Sequence, residues 1–192
     1  MVRRWGYPVT PIYPALAQTA VSIEVTYVFY SGLPYFTMET RLDVEEEVDV
    51  KVVRFDQWLF DHAFTHTLSM LEGEEVQTAP RSMHFGDRNP ALLGFCDEPT
   101  GDAFASLRLA FDARGFPGAF NPGETGIWTR EGGEKIWNRG AFNSHGGAIA
   151  IQPGATIGEY NAYLAYNVQE EGGHDQAGAW YERLRRPLKV SR

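Results

Sequence analysis

The chain has 192 residues, with 17 Lys and Arg against 25 Asp and Glu, giving a formal net charge of −8. This acidic balance, with an isoelectric point near 5.1, removes the broad basic field that nucleic-acid binding relies on. Apolar residues (43%) and charged residues (22%) match ordinary globular usage, so wholesale disorder is excluded, and no apolar run approaches the ~18 residues of a membrane span.

The length predicts a single domain over 1–192, large enough to bury a sizeable core. Gly (20) and Pro (11) together exceed the roughly 12% of background usage, and aromatics reach 14%. Turn formers combined with strand formers predict an all-β protein. The one cysteine, Cys96, forms no internal disulfide and no Cys-rich metal site, and within Leu92–Cys96 it reads as a small buried apolar residue. The first residues carry two arginines but no apolar signal-peptide core; with the single reduced thiol this predicts a cytoplasmic protein.

In chain order, residues 1–20 place Pro8, Pro11 and Pro14 three apart and read as a Pro-rich extended arm. Val21, Ile23, Val25, Tyr27 and Phe29 then alternate with Ser22, Glu24 and Thr26, the pattern of a half-buried strand. Ser31-Gly32-Leu33-Pro34 interrupts it. Alternation resumes with Phe36, Met38, Thr40, Leu42 and Val44 against Thr37, Glu39, Arg41 and Asp43, so the two segments form a hairpin. After the acidic turn Glu45-Glu46-Glu47, a third strand runs through 48–55 and is continued or bent by 56–60. Residues 61–72 suit either strand or helix, and 73–90 read as a long polar excursion. Further strands are expected at 92–96, 103–112, 127–129, 134–137, 148–152 and 157–168, with a Gly/Pro-rich loop over 113–126. Past Gly172-Gly173 the period changes: a C-terminal helix is predicted within 174–187, with Asp175 as its cap and Pro187 as its stop.

About ten short antiparallel strands with hairpin connections describe a large antiparallel β-sandwich with one short helix. The string Val25-Thr26-Tyr27-Val28-Phe29-Tyr30-Ser31-Gly32-Leu33-Pro34-Tyr35-Phe36, followed by Met38-Glu39-Thr40, resembles the central strands of the galactose-mutarotase-like supersandwich. Ile151-Gln152-Pro153-Gly154-Ala155-Thr156 before a long alternating strand resembles that domain's closing strands. The resemblance covers 20–60 and 148–168 and includes no catalytic motif. It implies a carbohydrate-related role, because the superfamily holds sugar epimerases, polysaccharide lyases and glycosidase accessory domains; fold alone does not choose among them.

Three groups of residues are candidates for chemistry. His62 and His66, with Asp56 nearby, would share a metal only on a helix; on a strand they stand roughly 13 Å apart, and Phe64, Thr65 and Thr67 favour strand. No metal and no cofactor is therefore expected. His145, between Ser144 and Gly146-Gly147, and His174, before Asp175, occupy turn-like contexts open to ligands; His84 lies in the middle excursion. Trp128 and Trp137 flank a Gly-rich turn, beside Arg130, Lys135 and Arg139, the mixture of rings and charges that suits a sugar cleft and equally suits a core. Gly-x-Ser-x-Gly, phosphate-loop, dinucleotide and EF-hand patterns are absent.

Two functions follow. One is a lyase or epimerase acting on sugars or uronic acids, with His62, His66 or His145 as base, Arg54 or Arg139 holding the developing charge, and Asp56, Trp128, Trp137 and Arg139 binding substrate. The alternative is a non-catalytic accessory or assembly domain that binds glycan or a protein partner. Arg54 and Asp56 share a face of the third strand, where charges between valines mark either a polar cleft or the solvent side. Strand edges and the arm also predict a homodimer.

Overall fold

The computed structural model describes residues 2–8, 19–60, 64–80, 83–85, 88, 90–116, 126–129, 135–143 and 147–186; within these, 2–8, 19, 52, 54–56, 84, 128–129 and 135–143 are described by backbone alone. The architecture is an all-β sandwich with one helix. Its larger layer is an antiparallel sheet of eight strands ordered β1-β2-β3-β14-β10-β9-β6-β7. These are β1 (Val2–Pro8), β2 (Thr19–Phe29), β3 (Tyr35–Val44), β6 (His66–Met70), β7 (Gln77–Ala79), β9 (Leu92–Cys96), β10 (Asp102–Arg114) and β14 (Thr156–Asn167). The facing layer has two parts: a four-stranded sheet, β5 (Val52–Phe60), β12 (Lys135–Asn143), β11 (Gly126–Thr129) and β8 (Met83–His84), and a two-stranded one, β13 (Ile149–Ile151) with β4 (Val48–Val50).

The period-2 segments form the sheet as expected. β2 and β3 pair from Val21↔Val44 to Phe29↔Phe36, around a turn in which Leu33 N–H donates to the Tyr30 carbonyl and Gly32 takes φ +73°, a conformation glycine reaches without strain. β14, predicted at 157–168, lies in mid-sheet between β3 and β10.

Elsewhere the elements depart from the sequence pattern. The arm pairs through Val2–Pro8 with β2, while 9–18 lie outside the described residues. The third strand is two strands: it breaks at Lys51, so that β4 joins β13 while β5 joins β12. Within the ambiguous segment 66–70 form β6, the middle excursion supplies short β7 and β8, and β10 runs on to Arg114 while β11 begins at Gly126, both inside the stretch read as loop; 61–63 and 117–125 lie outside the described residues. The helix α1 spans Asp175–Leu184. His174, without a side-chain cap bond, occupies its N-cap, and Asp175 is instead the first helical residue, where its charge suits the helix dipole. Pro187 lies outside the described residues.

Three apolar clusters hold the layers together. Trp58, Phe60 and Ile127 of the smaller layer pack on Phe95, Phe104 and Tyr163 of the larger one. Val48, Val50 and Ile149 pack on Leu42, Ile157 and Ala113. On the opposite, outer face, Ala177 and Tyr181, four apart on α1, cover Leu92, Leu107 and Leu164. β9 and part of β14 are thus apolar on both faces, but the outer face of β2, β3 and the start of β14 is left uncovered by the helix.

Candidate functional site

That face carries the candidate site. In an antiparallel sheet, cross-strand partners lie on the same face. Thr26, Glu39 and Tyr160 form one row across β2, β3 and β14; Glu24, Arg41, Gly158 and Asp112 form the next. Thr26, Val28, Tyr30, Thr37, Glu39 and Tyr160 line a depression of about 360 Å³. Glu39 also borders a second, of about 250 Å³, with Arg41, Asp112, Arg114, Thr156 and Gly158. The two make one trough along the strands. Its floor stays low at Gly158, where a Cβ would enter open space.

One end is aromatic. The Tyr30 hydroxyl lies 3.5 Å from Thr37 Oγ1, its ring centroid 5.0 Å from that of Tyr35, and Tyr35 packs on Trp180 of α1 at 5.2 Å. Burial, with the Tyr30 and Tyr160 phenols nearby, pushes the Tyr35 phenol above its ordinary value. It stays protonated at neutral pH. The other end is charged and internally paired. Arg41 Nε and Nη2 donate to the Asp43 carboxylate at 2.9–3.0 Å, and Arg114 Nε lies 2.9 Å from Asp112 Oδ2.

Two other features lie close by. At the end of the sandwich, Phe29, Leu33, Phe36, Phe104 and Tyr163 line a hollow of about 320 Å³ that meets the trough at Tyr30. Phe29 is 68% exposed and stacks on Phe36 (5.1 Å), which stacks on Tyr163 (5.0 Å), so one file of rings runs from solvent into the core. On the inner face, Arg108 donates from Nε (3.1 Å) and Nη2 (2.9 Å) to Glu159 Oε1, with side chains only 7% and 1% exposed.

The residues singled out from sequence fall in several places. Arg54, Asp56, Trp137 and Arg139 come onto paired strands: Asp56 is opposite Arg139, Arg54 opposite Gly140, and Trp137 opposite Trp58. Trp128 on β11 pairs with Ile136. These placements are of backbone. His62 and His145 lie outside the described residues. His66 opens β6, in the eight-stranded sheet; its Nδ1 lies 3.0 Å from Thr65 Oγ1 and its Nε2 3.6 Å from Glu98. His84 is on β8 and His174 at the start of α1, so these three do not share an element, and neither His66 nor His174 lines the hollows described above. Among the described residues no group of three His, Cys, Asp or Glu side chains is placed to hold a metal ion. Likewise, no described helix is long and apolar enough to cross a membrane.

The trough residues were not singled out from sequence, although a signal was present. Thr37, Glu39, Arg41 and Asp43 fall on the polar phase of a strand whose neighbour offers Glu24 and Thr26, while Gly158 and Tyr160 stand two apart on β14. What the pattern lacked was the strand order that sets β14 beside that hairpin. Chemically, a phenol ring can pack on the apolar face of a sugar while carboxylate, guanidinium and hydroxyl groups hydrogen-bond its hydroxyls.

No protein-family model and no curated protein sequence matches the chain. Solved structures do. An α-galactosidase of glycoside hydrolase family 36 from Geobacillus stearothermophilus, solved with 1-deoxygalactonojirimycin, aligns with a TM-score of 0.54 at 10% identity, over 77% of this chain and 22% of that one. A variant of that enzyme solved with raffinose aligns at 0.52 and 12% identity, over 87% and 27%. The galactosidase domain of an α-galactosidase–sucrose kinase aligns at 0.55 and 9% identity, over 87% and 27%. At such identities the similarity is one of fold. The chain spans about a quarter of the length of these enzymes.

Proposed function

We propose that this chain is a carbohydrate-binding β-sandwich that serves a sugar-processing protein as an accessory module, and that the trough over β2, β3 and β14 is where glycan binds. The observation that carries this reading is the combination of Tyr30, Tyr160 and Glu39 around one open hollow on a sheet face that the helix leaves bare. A fold that recurs as a quarter of the length of α-galactosidases, one of them solved with raffinose, is consistent with such a role. A role in binding fits better than lyase or epimerase chemistry, because elimination needs a base and a charge-holding group converging on one carbon. Among the described residues, neither His66, on β6, nor His174, at the start of α1, lines the trough.

The catalytic reading retains one specific support: the β5–β12 register, which sets Asp56 opposite Arg139 and Arg54 next along the strand. Calorimetric titration with raffinose and stachyose, alongside turnover assays on uronic-acid oligosaccharides, separates the two. The expected result is saturable binding that falls about tenfold, some 1.4 kcal/mol, in Tyr160→Ala, with no turnover. Binding that is unaffected by Tyr30→Ala and Tyr160→Ala removes the trough as the site. Turnover abolished by Arg54→Ala would instead make β5 an active-site strand.

A further inference from the structure

We infer that the trough selects neutral oligosaccharides and excludes those bearing carboxylates; this rests on the trough being the glycan site and concerns which glycans it admits. Among the described residues lining it, the cations are Arg41 and Arg114. Both are engaged. Arg41 is held by Asp43 through two nitrogens, and Arg114 by Asp112. Glu39, exposed and shared by both halves of the trough, belongs to neither ion pair.

A uronate seated here would bring its carboxylate beside Glu39 and would have to displace Asp43 or Asp112 to reach a guanidinium. Like charges a few ångströms apart repel, and the net charge of −8 adds to that repulsion over longer range. A neutral sugar meets no such penalty. Its hydroxyls donate to the free oxygens of Glu39 and accept from the guanidinium hydrogens that the ion pairs leave over, as charge-assisted hydrogen bonds. The bare step at Gly158 lets the chain lie from the Tyr30–Tyr160 end to Thr156; Tyr160 to Thr156 alone is four strand positions, about 13 Å, so the trough suits an oligosaccharide more than a single sugar.

The test is titration of the full chain with stachyose and with a tetragalacturonate, each at low and high salt, repeated with Glu39→Gln. Glu39 is exposed, so the substitution leaves the fold intact. The expected result is that stachyose binds at least about tenfold tighter, insensitive to salt, and that the gap narrows when salt screens the repulsion or Gln replaces Glu39. Equal or tighter binding of the uronate overturns the selectivity while leaving the glycan site standing. A preference unchanged in Glu39→Gln overturns its charge origin. Binding of neither sugar removes the glycan site itself, and the selectivity with it.

Discussion

Arg108 and Glu159 come from neighbouring strands, 51 positions apart in sequence, and meet where the inner face passes from one apolar cluster to the other. Among the described residues, Glu159 Oε2 has no hydrogen-bond partner, so the carboxylate depends on Arg108 for compensation. Removing one member of a buried pair strands the other charge, which costs about 3–5 kcal/mol, whereas replacing both by apolar residues costs far less. Arg108→Met is therefore expected to lower stability in urea by about that amount, and adding Glu159→Leu to recover part of it. A double variant no more stable than Arg108→Met would show that the pair is not the unit that matters. Nothing in the sequence marked this pair: Arg108 sits in a strand that otherwise reads as ordinary alternation, and only the register that sets β10 against β14 reveals its partner.

The hairpin β2–β3 and the long strands β10 and β14 were legible because each buries one face along its length, which enforces period 2, and because Gly32 and Pro34 punctuate the turn. β4 and β5 were not separable, because Val48, Val50, Val52 and Val53 read continuously across Lys51; the switch between sheets is decided by different partners, β13 and β12. The short β7 and β8 were hidden for a related reason: two or three residues are too few to show a period. Glycines within strands were equally silent about their reasons. At Gly94 a Cβ would stand 2.3 Å from the Phe104 carbonyl oxygen and 2.9 Å from Ala105 Cα, since β9 is packed hard against β10; at Gly158 it would meet nothing. Gly94→Ala is expected to destabilise by about 1–3 kcal/mol, from overpacking a buried strand, and Gly158→Ala by less than about 0.5 kcal/mol. Thermal melts of the two variants measure the contrast directly, and equal melting temperatures would contradict the packing described.

At the scale of the whole molecule, the helix packs on one part of the large sheet's outer face and leaves β2, β3 and the start of β14 bare of it, and the proposed glycan trough lies there. The sandwich class was readable from composition and alternation, whereas the trough was not, because it is made by adjacency in space: Thr26 and Glu39 lie on the two arms of the predicted hairpin, but Tyr160, more than a hundred residues on, joins them only through strand order.

That order also bears on how the chain reaches its structure. β14, residues 156–167, is the strand that joins β3 to β10 in the middle of the large sheet, so until it docks the sheet is two separate ribbons, β1-β2-β3 and β10-β9-β6-β7, each with a bare row of backbone donors and acceptors. Closure must wait for a segment more than a hundred residues downstream of β3, a separation typical of slow, non-local pairing, with folding times from milliseconds to seconds. Refolding followed by fluorescence should show closure on that scale, slowed by substitutions at Ala162 or Leu164 more than by any in α1. On a ribosome the two half-sheets would emerge in turn with their edges unsatisfied, and the interval before residue 167 appears is the period when this chain most needs protection from pairing with its own copies.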